Sequence, residues 1–264
     1  MRIFPKEILQ LNTWFDTYTG GFIHNNPSLP DGYALKIKHT QMVCKEMESL
    51  GKSLLLDANQ LRLAHMIALF HDIGRFEQYK KYQSFSDKHT ENHALLGVKV
   101  LKENKVLDHL HPDAKAIVFK AIQLHNVKAL PSMRNKTLAF YAKMIRDADK
   151  LDIFPLTVNH YQNTSERNPA IELGLSNTSN FSEDICHQIL EGVSVDYGSM
   201  KSLNDFKLVQ LGWVFDINFN YSLLKILNCG YIESIAVTLP NEPLINKVIL
   251  HIHKYISERL NLQN

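Results

Sequence analysis

Apolar residues along this chain recur at spacings of three and four rather than two, and the elements this predicts are helices. Pro5–Tyr18 forms an amphipathic segment with Ile8, Leu9, Leu11, Trp14 and Phe15 on one side, stopped by Gly20-Gly21, and the breaker-dense loop HNNPSLPDG follows. Tyr33–Leu50 predicts a helix whose stripe is Leu35, His39, Met42, Val43 and Leu50, ended by Gly51. A helix from about Asn59 to Ile73 puts Leu61, Ala64, His65, Ala68, His71 and Asp72 on one face, and Gly74 suits the left-handed position that closes it. Phe76–His89 reads as a polar and aromatic loop. Thr90 then caps a helix with His93, Leu96, Gly97, Val100 and Leu101 inward. Pro112 opens a helix carrying Val118, Ala121, Leu124 and His125, and Thr137 opens one with Leu138, Ala142, Ile145, Asp149 and Asp152 on one face. Thr157–Ser182, rich in Asn, Ser and Thr, predicts a long loop serving as a lid. Helical patterns return at about Glu183–Leu190, Leu203–Leu227 and Asn241–Leu260. The expected fold class is all-α, a single domain over 1–264 with a C-terminal helical extension at about 183–264.

The stretch LRLAHMIALFHDIGR is where polarity breaks the pattern. An imidazole and a carboxylate, His71 and Asp72, end an apolar run, and burying them is expensive unless something satisfies them. The same intrusion recurs on five successive helices, through His39, His71 with Asp72, His93, His125 and Asp149. A lone histidine on an apolar stripe is most often a satisfied core residue. Five in consecutive helices would cost roughly 1–3 kcal/mol each if unpaired, and convergence on metal removes that penalty. Four imidazoles and two carboxylates are borderline to hard donors, which excludes calcium. Iron or manganese leads, with nickel, cobalt, zinc or magnesium open. Six ligands suit two divalent ions sharing Asp72, with His39, His71 and Asp149 on the first and His93 and His125 on the second.

Composition narrows the alternatives. The 264 residues are 45% hydrophobic, enough for a sizeable core, and the formal net charge of +2 gives no case for a nucleic-acid polymer as partner. Cys44, Cys186 and Cys229 are far apart, without a CxxC, so neither a disulfide framework nor a cysteine zinc site is indicated. The N-terminus lacks a signal-peptide pattern and no segment has the ~20 apolar residues of a membrane span. The expected location is therefore the cytoplasm, away from membranes. Core packing is the simplest reading of the Trp213–Phe219 cluster, with a base-binding pocket or a homodimer contact as alternatives.

The order His39, His71-Asp72 and Asp149, with HDIG and IRDADKLD as local signatures, resembles the HD-domain superfamily of metal-dependent phosphohydrolases. NHALLG and IQLHN resemble the extra histidine segments of its dinuclear branches. The resemblance covers about residues 33–155. It implies a helical bundle whose ions polarise a phosphate and generate a hydroxide nucleophile, with Asp72, Arg75 and Asp149 at the chemistry and a small phosphorylated substrate, a nucleotide first. The chain departs from some dinuclear subfamilies in having His125-Asn126 where they have two histidines. It has Arg75 where HDIG is often followed by lysine, and no GYP element, which disfavours a cyclic di-GMP phosphodiesterase. Phosphate-binding cations are expected among Arg75, Lys88, Lys128 and Arg134. Asp152, one turn beyond Asp149, is expected to orient a ligand imidazole, while Asp87 reads as a cap, with a contact to the catalytic site as the alternative. Two other classes share these residues: a di-iron oxygenase of the same fold, and a metal- or nucleotide-binding module without turnover.

Overall fold

The computed structural model describes residues 2–25, 30–163, 169–192, 195 and 197–261. The chain gathers into two compact units, Met1–Asp152 and Ile153–Asn264. Both are all-α; among the described residues the β structure is a single bridge, Ser176 to Ser202. No described helix is long and apolar enough to cross a membrane.

The first unit is built from α1 (Pro5–Asn25), α2 (Pro30–Ser53), α3 (Ala58–Phe70), α4 (Gly74–Tyr82), α5 (His93–Glu103), α6 (Pro112–Leu124) and α7 (Lys136–Gln162) as far as Asp152. Helix α2 packs along α3, α4 against α5, and α3 against α6. Phe15, Tyr33, Met47, Leu63, Met66, Ile67, Phe70 and Phe76 fill the core between them.

Several boundaries move from where local signals put them, and tertiary packing moves them. Helix α1 continues through Gly20-Gly21, because Phe22 beyond them packs against Tyr33 and Phe76 at 5.5 and 5.6 Å between ring centroids. That contact outweighs the ~0.5–1 kcal/mol each helical glycine costs. Gly51 likewise lies inside α2. A Cβ there would stand 2.6 Å from the Leu61 side chain, so this glycine admits α3 rather than stopping a helix. Helix α3 stops at Phe70, and His71-Asp72-Ile73 form the turn into α4, where a loop was expected. Gly74 is not left-handed. It is the first residue of α4, and a Cβ on it would land on the His93 carbonyl oxygen and lie 2.5 Å from Gly97 N. Asn92, not Thr90, caps α5 by accepting from Leu95 N at 3.0 Å, while the Thr90 hydroxyl donates to Ser86 O at 2.8 Å.

The second unit holds the end of α7, α8 (Pro169–Glu172), α9 (Glu183–Leu190), α10 (Leu203–Gly212), α11 (Asn220–Asn228), α12 (Tyr231–Ala236) and α13 (Pro243–Asn261). Helix α7 passes through Pro155 to Gln162, where a loop was expected from Thr157. The Thr157 hydroxyl donates to Ile153 O at 3.0 Å beside the proline. The expected long loop is thus confined among described residues to 163 and the stretch after α8, and residues 164–168 lie outside them. The predicted helix Leu203–Leu227 is broken. After a 3₁₀ turn, Trp213–Asp216, Ile217 is extended, and Arg259 of α13 donates to the freed carbonyls of Ile217 and Asn218. Helix α12, which the pattern did not reveal, restarts the chain after Gly230 at φ +63°.

Candidate metal centre

The residues that interrupted the apolar pattern meet in the first unit. His39 comes from the middle of α2, and His71 and Asp72 from the turn closing α3. His93 is the first residue of α5, His125 the C-cap of α6, and Asp149 lies on α7. His39, His71, Asp72, His93 and His125 are all buried. Four of the six, His71, Asp72, His93 and His125, stand at or just beyond a helix end.

Asp72 is the centre of the arrangement, and its two oxygens face different partners. Oδ2 lies 3.6 Å from His39 Nε2 and 3.8 Å from His71 Nε2. Oδ1 lies 3.1 Å from His93 Nε2 and 3.7 Å from His125 Nε2. Asp149 Oδ1 joins the first set, 3.1 Å from His39 Nε2 and 3.8 Å from His71 Nε2. The result is two groups of donor atoms, one on His39, His71 and Asp72 and the other on Asp72, His93 and His125. Ligands held about 2.1 Å from one ion stand roughly 3–3.5 Å apart; the separations here, 3.1–3.8 Å, start in that range and exceed it by a few tenths of an ångström.

The remote nitrogens decide how the rings present themselves. His39 Nδ1 faces Asp152 Oδ2 at 2.6 Å, and His93 Nδ1 faces Asp87 Oδ2 at 2.6 Å. His71 Nδ1 faces Ala68 O and His125 Nδ1 faces Ile122 O, each at 2.7 Å. An ionised carboxylate or a backbone carbonyl can only accept, so each Nδ1 carries the proton and donates it outward. The neutral rings then turn Nε2 lone pairs inward. His93 Nε2 and His125 Nε2, 2.9 Å apart, become two acceptors facing each other. A cation between such donors resolves the conflict, and the buried His/Asp cluster fits a divalent metal on this chemistry.

The electrostatics of His71, His93 and Asp72 agree with that reading, whereas His39, between two carboxylates, is held protonated until an ion displaces its proton. Burial and the Lys36 ammonium oppose protonation of His39, but hydrogen bonds to Asp149 and Asp152 outweigh them and raise its pKa to about 9. Burial lowers His71 to about 3, against the pull of Asp72 and Asp149, and also lowers His93, where Arg75 adds to the effect. Burial would raise Asp72, but Lys36, His71 and Arg75 hold it well below the ordinary carboxylate range.

Cations surround the cluster unevenly. Lys36, one turn before His39, was not singled out from the sequence, although it shares a face of α2 with that histidine. Its Nζ lies 2.8 Å from Asp72 Oδ2. Arg75 Nε lies 3.5 Å from Asp72 Oδ1, and its Nη1 donates to Gln78 Oε1, Phe85 O and Asp87 Oδ1. Lys88, Lys128 and Arg134 are exposed side chains. His65 pairs with Asn12 at 2.9 Å, apart from the cluster. Arg146 of α7, also missed, is buried. Its Nη1 donates to the carbonyls of His125 at 3.0 Å and Val127 at 2.5 Å, clamping the end of α6 that carries His125.

Comparison with known families agrees with the geometry: the family model described as HD domain matches residues 37–153, the span that supplies every member of the cluster. No curated protein and no solved structure gave a match to the chain.

Proposed function

We propose that the protein, whose residues 37–153 match the HD-domain family model, is a metal-dependent phosphohydrolase that hydrolyses a phosphate ester of a small molecule, nucleotides foremost, at a pair of divalent ions. The observation that carries the reading is the division of Asp72, with one oxygen toward His39 and His71 and the other toward His93 and His125. His39, His71, Asp149 and Asp72 Oδ2 would hold one ion. His93, His125 and Asp72 Oδ1 would hold the other. When bound, a pair of this kind supplies Lewis acidity toward phosphoryl oxygens and lowers the pKa of water.

The chain's own residues do the rest. Asp72 and Asp149 stay ionised because their carboxyl pKa values are depressed, Asp149 chiefly by its hydrogen bond to His39 against the opposing effect of burial. They therefore remain ligands and hydrogen-bond acceptors that orient an attacking water. Lys36 and Asp149, with side chains 18% and 22% exposed against 4% for Asp72, mark the side open to solvent. Substrate enters from there, and Lys36 meets a phosphate oxygen once ions replace it against Asp72. Arg75, 15% exposed and set like Lys36 over the Phe85 ring, flanks the site beside Asp72 Oδ1.

The test is a metal analysis of protein purified without chelator, then a panel of phosphomonoesters, phosphodiesters and nucleotides assayed with manganese, iron, cobalt, nickel, zinc or magnesium, in air and without oxygen. The expected result is metal-dependent phosphate release or diester cleavage that persists anaerobically and is lost in Asp72→Ala. Silence of the metal-loaded protein across the panel overturns the reading. Turnover that needs both iron and oxygen overturns it in favour of an oxygenase.

A further inference from the structure

The loop between α4 and α5 carries a carboxylate with an unusual number of partners. Asp87 accepts from Arg75 Nη1 and Gln78 Nε2 at 2.9 Å each through Oδ1. Through Oδ2 it accepts from His93 Nδ1 at 2.6 Å and from Asn126 Nδ2 at 2.9 Å. Those donors come from α4, from the first residue of α5 and from the residue after His125. The loop is fastened on both sides of Asp87. Arg75 also donates to Phe85 O at 2.5 Å, and the fully buried Gln78 donates to Thr90 Oγ1 and Glu91 O at 2.8 Å. A helix cap needs none of this, and α5 is capped by Asn92 instead.

We propose that Asp87 is the positioning residue of the His93–His125 half of the site, held in place by Arg75 and Gln78, and that Asp152 serves the His39–His71 half in the same way. Asp87 fixes His93 with its proton on Nδ1 and its Nε2 lone pair inward. Through Asn126 it also ties down the segment that follows His125. Each half thus has one histidine backed by a carboxylate and one backed by a backbone carbonyl. Carboxylate backing orients the ring and raises its basicity, so its loss weakens metal binding by about 10–100-fold. In this arrangement Arg75 acts through Asp87. The inference rests on the two-ion reading above.

The experiment is a manganese titration of the full chain followed by electron paramagnetic resonance and equilibrium dialysis, on wild type, Asp87→Asn, Asp87→Ala and Asp152→Asn. Wild type should bind two ions and show an exchange-coupled pair. Asp87→Asn and Asp87→Ala should weaken one ion by about 10–100-fold and leave the isolated signal of a single manganese, with the other ion bound as in wild type. Asp152→Asn should weaken the ion that Asp87→Asn spares, so that the double variant loses both. A wild type that binds fewer than two ions defeats the two-ion reading itself. With two ions in wild type, unchanged affinities in Asp87→Asn overturn the inference. So does equal weakening of both ions in both Asp87 variants, since that marks a general structural role.

Discussion

Replacing Gly74 with alanine tests whether close backbone approach, rather than turn geometry, is what this position requires. A Cβ at Gly74 would meet the His93 carbonyl oxygen and would stand 2.5 Å from Gly97 N and 3.0 Å from Gly97 Cα. Ordinary contact begins near 3.4 Å, so the first turn of α5 must retreat by about 1 Å, and no side-chain rotation can relieve it. Overpacking typically costs about 1–3 kcal/mol, and a clash of backbone with backbone belongs at the upper end. At roughly 2–4 °C per kcal/mol for a protein of this size, Tm should fall by about 6–12 °C. The displaced residue is His93 itself, so metal binding should fall with stability. Gly20→Ala and Gly21→Ala are the controls. Both lie inside α1 with nothing within 4 Å of the added carbon, and each should gain about 0.5–1 kcal/mol, a rise of roughly 1–4 °C. Thermal unfolding followed by circular dichroism, with metal content measured on the same samples, reads both effects. A Gly74→Ala protein with wild-type Tm and full metal content would refute the close-approach reasoning, and so would a Gly20 variant that fell as far.

Further outcomes follow from the same geometry. In ion-free protein the His39 pKa of about 9 means that its imidazole is protonated below that pH, whereas a ligand imidazole must be neutral. Metal uptake should therefore release a proton at pH values below about 9, and apparent affinity should rise with pH and level off above 9, as read by calorimetry in buffers of different ionisation enthalpy. His71, lowered to about 3, should add no proton release near neutral pH. Lys36→Ala removes a cation that competes for Asp72 Oδ2 at 2.8 Å, so metal affinity should tighten several-fold while KM for a phosphorylated substrate rises; unchanged KM with tighter metal would deny Lys36 a phosphate role. Arg146→Met keeps apolar bulk but removes the donors to the His125 and Val127 carbonyls. It should lower stability by about 1–3 kcal/mol, since the two carbonyls stay behind without their charged donor; a denaturant midpoint equal to wild type would exclude the clamp.

The sequence alone determined that the chain is helical, which side of most helices is apolar, and which six side chains intrude on those sides. These are local properties: apolar spacing follows helix periodicity, and an ionisable group on an apolar stripe is conspicuous without knowledge of its neighbours. Only the folded chain decided the rest. Whether glycine stops a helix, passes through it or admits another backbone depends on what lies opposite, which is why Gly20, Gly51 and Gly74 were all read as terminators and none is one. Asp87 read as a cap because its partners Gln78, His93 and Asn126 are brought to it by three separate segments. Lys36 drew no notice in the sequence because its charge acquires meaning only when Asp72, thirty-six residues later, is folded to within 2.8 Å. Ligands can be picked out by their misfit with their own helix; of the residues that orient them, Asp152 shares the helix face of a ligand and was legible, but Asp87 fits its local surroundings and is defined by distance in space.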